Sequence, residues 1–232
     1  MSKDYIIKSS NKTMLERREY TMFGDIQVYI KDPFTSTKPI DMSMVIRKIE
    51  QTIPRDFTYG VELLVIGQFD DLDRRGVKAA FMDGAIYVTN KQDNLDDVFD
   101  DIIHEISHSI ELTHGSILFA DGELAHEYLG KKQRMIQLMQ YDGNMVPPDV
   151  MDTLEYSKEF DEFLHFELGY EKSENYSKGL FIDSYAAVSL SEYFATGFEA
   201  YYVDKLGNQL KKISPVLLEK IEELTNYISE DY

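Results

Sequence analysis

His104, Glu105 and His108 stand in the order H-E-x-x-H within the stretch from Asn94 to Gly115. On a helix, residues four apart share a face, so His104 and His108 can aim two imidazoles at one point. Two imidazoles converging in this way make half of a zinc site. Glu105 sits beside that point, where its carboxylate can act as a base toward a water polarised by the metal. The chain has five histidines and no cysteine. Thiolate sites and disulfides are thereby excluded, so any metal must be held by histidine and carboxylate. That donor chemistry suits a catalytic zinc ion better than a structural one.

The same stretch encodes the helix that must carry the motif. Asn94 is placed to cap it, with Asp97 three residues on, and Asp96, Asp97, Asp100 and Asp101 crowd the positive end of its dipole. Leu95, Val98, Phe99, Ile102, Ile106 and Ile110 form a broad apolar stripe. Gly115 is expected to close the helix as its C′ residue.

Two residues compete to be the third ligand. His114 follows His108 by six positions, the ligand spacing of metzincin-type peptidases. That class has a glycine three residues after the second histidine, where the chain turns back to the metal; here the position is Glu111. Without the turn, His114 continues around the helix, and a histidine in a last turn also complements the dipole. The other candidate is Glu192, far along the chain. A carboxylate from a second helix completes a His₂Glu set and leaves a fourth position for water. Ser189 and Glu192 also spell an S-x-x-E capping box, which explains an acid at that position without any metal.

Before the motif, the chain alternates strand and helix signals. Residues 1–24 are polar and of mixed charge, and are expected to form an N-terminal arm. Ile26 to Asp32 alternates like a strand, and Asp41 can cap a helix with Met42, Val45, Ile46, Ile49 and Ile53 on one face, ended by Pro54. Val61 to Phe69 and Gly84 to Asn90 are further strands, with DDLDRRG a turn or short excursion between them. If Gly84 to Asn90 is an edge strand beside the metal, it could pair with an extended peptide; otherwise it is one more strand of the sheet. The expected fold class is therefore α+β, with a small mixed sheet over the active-site helix.

After the motif, DGELAHEYLGKKQRMIQLMQ reads as helical with Gly130 a weak point, DGNMVPP as a loop, and Asp149 to Leu168 as an acidic helical stretch. Ser189 opens a helix that Gly207 ends, and Ser214-Pro215 starts a last one with Val216, Leu217, Ile221, Leu224 and Ile228 inward. This gives a single catalytic domain in four parts: the arm 1–24, the sheet and motif helix 25–115, a helical acidic insertion 116–180, and the third-ligand and C-terminal helices 181–232.

The chain of 232 residues carries 42 acidic against 24 basic residues, a formal charge of −18. Phosphate contacts need Lys and Arg, so this balance argues against nucleic acid as a partner; it permits attraction to basic peptides, although a solvated acidic surface is the more common reason for such a charge. No apolar run approaches a membrane span, and the N-terminus lacks the apolar core of a secretory signal. A soluble protein is expected, intracellular or exported by a non-classical route. Nothing in the pattern specifies an oligomeric state.

HEISHSIE, followed by Tyr185-x₆-Glu192-Tyr193-Phe194-Ala195 and then Phe198, Tyr201 and Tyr202, resembles the anthrax lethal factor-like zinc peptidases, a gluzincin-type group that includes the Pro-Pro endopeptidases. The resemblance is close over 180–205 and loose over 26–110. It implies a zincin-like catalytic domain and hydrolysis of peptide bonds, with one zinc ion held by His104, His108 and Glu192. It also implies Glu105 as general base and Tyr185 as the residue that stabilises the oxyanion. The family has a glutamate four residues after the ligand, where this chain has Thr196, with Glu199 a substitute; there is no tryptophan, and Pro-Pro specificity does not carry over. The alternatives are an inactive zinc-binding interaction protein that keeps the fold, and a metzincin-type peptidase that uses His114.

Overall fold

The computed structural model describes residues 19–230, which fall into two compact units dividing between Ile110 and Glu111. The first unit is built on a five-stranded mixed sheet. Its strands are β1 (Glu19–Met22), β2 (Ile26–Ile30), β3 (Leu63–Gly67), β4 (Ala79–Met82) and β5 (Ala85–Thr89), in the order β1-β2-β3-β5-β4. Parallel pairing joins β2 to β3 and β3 to β5, while β1 and β4 run antiparallel to their neighbours. In β2 the alternation of the sequence becomes alternation of burial, with Ile26, Val28 and Ile30 inside and Gln27 and Tyr29 outside. Helix α1 (Met42–Thr52) makes the crossover from β2 to β3; Asp41 Oδ1 accepts from Ser43 N–H at 2.9 Å, and Met42, Val45, Ile46 and Ile49 are buried.

Two expectations for this unit are corrected. Residues 19–22 of the supposed arm form β1, paired with β2; residues 1–18 lie outside the described residues. The short excursion after β3 is helix α2 (Asp70–Arg75), stopped by Gly76 in the left-handed conformation (φ 71°), followed by β4. Of the two readings of Gly84 to Asn90, the structure has the second: β5 is one more strand inside the sheet, with β3 and β4 on its two sides, and the edges are β1 and β4. The β4–β5 hairpin closes through Asp83 and Gly84, both at positive φ (50° and 78°). An Asp-Gly pair is a strong two-residue hairpin signal, so this strand was there to be read.

The motif helix α3 (Leu95–Phe119) begins as expected, with Asn94 Oδ1 accepting from the amides of Asp96 (2.8 Å) and Asp97 (3.1 Å). Val98, Phe99, Ile102, Ile106 and Ile110 are buried. It does not close at Gly115. It kinks at His114 (φ −127°, ψ 17°), continues to Phe119, and the left-handed residue that follows is Gly122 (φ 76°).

The second unit is helical: α4 (Glu123–Tyr141), α5 (Lys158–Glu162), a π-helical segment (Phe163–Gly169), α6 (Tyr170–Ser177), a 3₁₀ turn (Tyr185–Ala187), α7 (Leu190–Tyr202), α8 (Gly207–Ile213) and α9 (Pro215–Glu230). The helix expected from Asp149 starts only at Lys158, where Ser157 Oγ accepts from Phe160 N–H. Gly207 opens α8 instead of ending α7, which stops at Tyr202. Gly130 lies inside α4 without breaking it. Pro215 lacks an amide proton, and Glu127 of α4 caps α9 by accepting from Val216 N–H and Leu217 N–H, both at 3.0 Å. Among the described residues no helix is long and apolar enough to cross a membrane.

Candidate metal centre

The buried stripe of α3 fixes which way the helix faces, and with it the two histidines. The imidazoles of His104 and His108, one turn apart, have ring centroids 4.9 Å from each other at 77°. Glu192 stands in the first turn of α7, whose cap is Ser189: its Oγ accepts from Glu192 N–H at 3.1 Å. The capping reading of S-x-x-E is thus realised through the backbone of Glu192, and the helix N-terminus favours an ionised carboxylate there. One ligand atom from each of His104, His108 and Glu192 lies within 4.8 Å of the other two, and all three residues are half-buried. These three residues can hold a metal ion.

No protein-family model, curated protein or solved structure matches this chain.

Glu105 is buried, and its Oε2 accepts the amide proton of Phe81 at 2.6 Å. The donor belongs to the edge strand β4, so the strand that the sequence reading missed is the one that orients this carboxylate. Tyr185 lies in the 3₁₀ turn before α7. Asp183 holds that turn by accepting from Ala186 N–H (2.9 Å), Glu174 by accepting from Ser184 N–H (2.8 Å), and Tyr128 by donating to the carbonyl of Ala187 (2.9 Å). Burial, and then the negative charge of Glu192, push the Tyr185 phenol far above its ordinary pKa, and its hydroxyl bonds to the Glu192 carboxylate. It therefore remains a protonated donor across the whole physiological range.

His114 is not among the three residues that come together. Its Nδ1 is 2.8 Å from Thr113 Oγ1, its ring packs 6.2 Å from that of Tyr227, and burial lowers its pKa. Thr196 gives its proton to the carbonyl of Glu192 in its own helix at 2.9 Å. Glu199 lies near Asp183, whose carboxyl is pushed up by burial and, to a lesser degree, by the charges of Glu174 and Glu199.

Two neighbours of the ligands were not singled out by the sequence reading. Asp101, one turn before His104, accepts from Gln92 Nε2 at 2.7 Å; burial raises its pKa, against attraction from groups that include His104. Its i,i+3 spacing to His104 was the available signal. Glu111, noted in the sequence only as a missing glycine, accepts from Ser191 Oγ at 2.7 Å. That bond ties the turn just after His108 to the residue just before Glu192.

Proposed function

We propose that this chain is a zinc-dependent endopeptidase with a zincin-like fold, of the lethal factor-like kind. The observation that carries the proposal is the grouping of His104, His108 and Glu192 ligand atoms within 4.8 Å. Two imidazoles and a carboxylate, with no thiolate in the chain, form a donor set that suits one zinc ion with a coordination position left open. Bound there, zinc supplies a Lewis acid that brings the acidity of water to near neutral pH.

The chain's own residues carry the proton traffic. Glu105 takes the proton from the attacking water and returns it to the leaving amine nitrogen. Its orientation is held by the Phe81 amide on one carboxylate oxygen. Tyr185, kept protonated by burial, exchanges its hydrogen bond to the Glu192 carboxylate for one to the substrate carbonyl oxygen as charge develops there. The acidic surface favours basic peptide substrates.

Cleavage of a mixed peptide library by zinc-loaded protein, with and without chelator, tests this. The expected result is chelator-sensitive cleavage that Glu105→Gln abolishes while zinc content is unchanged, and that Tyr185→Phe slows by about 10²–10³-fold. Full turnover by Glu105→Gln would remove it as the base. The competing reading is a metal-binding interaction protein without activity, favoured by Thr196, whose hydroxyl is bonded within its own helix where the resembling enzymes have a carboxylate. A metal-loaded protein that leaves the whole library intact would select that reading.

A further inference from the structure

We infer that His165 is a second hydrogen-bond donor to the substrate, set beside Tyr185 and held in place by Asp161, an assignment that rests on the peptidase reading above. His165 belongs to the π-helical segment Phe163–Gly169. Its Nδ1 lies 2.6 Å from Asp161 Oδ1 and 3.0 Å from the Asp161 carbonyl, so this nitrogen carries the inward proton. Asp161 is itself fixed from its other oxygen, which accepts from the Tyr156 hydroxyl at 2.7 Å. A carboxylate clamped between a phenol and an imidazole sets both the tautomer and the ring plane of the histidine. That leaves Nε2 as the ring's outward nitrogen.

The position of the ring distinguishes it from an ordinary i,i+4 pair. The His165 ring lies 5.9 Å from that of Tyr185, centroid to centroid, and the Tyr185 hydroxyl bonds the carboxylate of Glu192. Ligand carboxylate, phenol and imidazole thus follow one another. His165 and Asp161 are partly buried, with side chains 27% and 23% exposed, sheltered yet reachable by a peptide. The neighbouring Lys158–Glu162 pair has the same spacing but is 77% and 50% exposed, as a solvated helix pair should be. A π-helical turn interrupts the i→i−4 ladder, costs helix stability, and recurs where a side chain must be re-aimed for function. The hydrogen bond to Asp161 raises the pKa of His165 and so favours the imidazolium, in which Nε2 is a donor. A carbonyl oxygen has two lone pairs and, as charge builds, can take a bond from the phenol and another from the imidazolium.

Two inhibitors separate this role from a structural one. A peptide hydroxamate needs little beyond the metal, whereas a phosphinic peptide presents the tetrahedral anion that the two donors would hold. In zinc-loaded full-length protein, His165→Ala should weaken the phosphinic peptide by about 10- to 100-fold and the hydroxamate by less than about 3-fold, the loss expected for one hydrogen bond to a charged group. Asp161→Asn should weaken the phosphinic peptide by a smaller factor, and kcat should fall in both variants with KM little changed. Unchanged phosphinic binding, or an equal loss for both inhibitors, would overturn the assignment. If wild-type protein binds neither inhibitor, the peptidase reading fails and takes this assignment with it.

Discussion

The side chain of Lys132 is fully buried, and its ammonium donates to the carbonyl of Thr153 at 3.1 Å with the Phe160 and Tyr128 rings 5.0 and 5.4 Å away. Burial pulls its pKa down to about 8, and the same cause brings Lys131 to about 8 despite Glu127. In the unfolded chain both titrate near ~10.4. Between these values the unfolded state holds protons that the folded state has shed, so raising the pH favours folding across that window. Urea denaturation should therefore show stability increasing from about pH 8 to about pH 10, above which the raised phenols of Tyr128, Tyr185 and Tyr193 oppose the trend. Lys132→Met should flatten the rise, and a slope identical to wild type would contradict this account. None of this was legible in KKQRMIQL, where Lys132 looks like any surface lysine of an amphipathic helix. The motif residues were legible because H-E-x-x-H is a local pattern. Phe81 was not, since what it supplies to Glu105 is a backbone amide, which any residue type carries.

At the scale of elements, α7 and α9 pack in close contact at Gly197. A Cβ at that position would overlap the side chain of Leu217, which is completely buried. Gly197→Ala gains about 1 kcal/mol of helix propensity but forces a shift in a packed contact. It should destabilise the protein by about 1–3 kcal/mol in urea denaturation, and a stabilised variant would show that the contact yields freely. Periodicity and caps carried most of the element assignment: Asp41, Asn94, Ser189 and Ser214-Pro215 each mark a helix start where one occurs. Helix ends were harder. Gly115 and Gly207 look like terminators, but neither takes up positive φ; Gly122 and Lys205 (φ 58°) do so instead. Glycine permits the left-handed conformation without requiring it, so composition alone does not identify which one uses it. The π-helical segment has no signature that separates FLHFELG from an ordinary helical stretch.

At the scale of the molecule, a formal charge of −18 should speed encounter with cationic peptides. Because salt screens such attraction within about 10 Å at 0.1 M, kcat/KM for a lysine-rich substrate should fall several-fold, about 3- to 10-fold, between 10 mM and 500 mM salt. A neutral substrate should be nearly insensitive, and equal salt dependence for the two would dismiss electrostatic attraction. The meeting of His104 and His108 with Glu192 was the expectation least supported by local pattern, since nothing in the neighbourhood of α3 names a partner so far along the chain. Zinc titration followed by native mass spectrometry tests that meeting most directly. Wild-type protein should take up one zinc ion per chain, and Glu192→Ala should bind at least about 100-fold more weakly. Equally tight zinc binding by Glu192→Ala, or none by the wild type, would contradict the account.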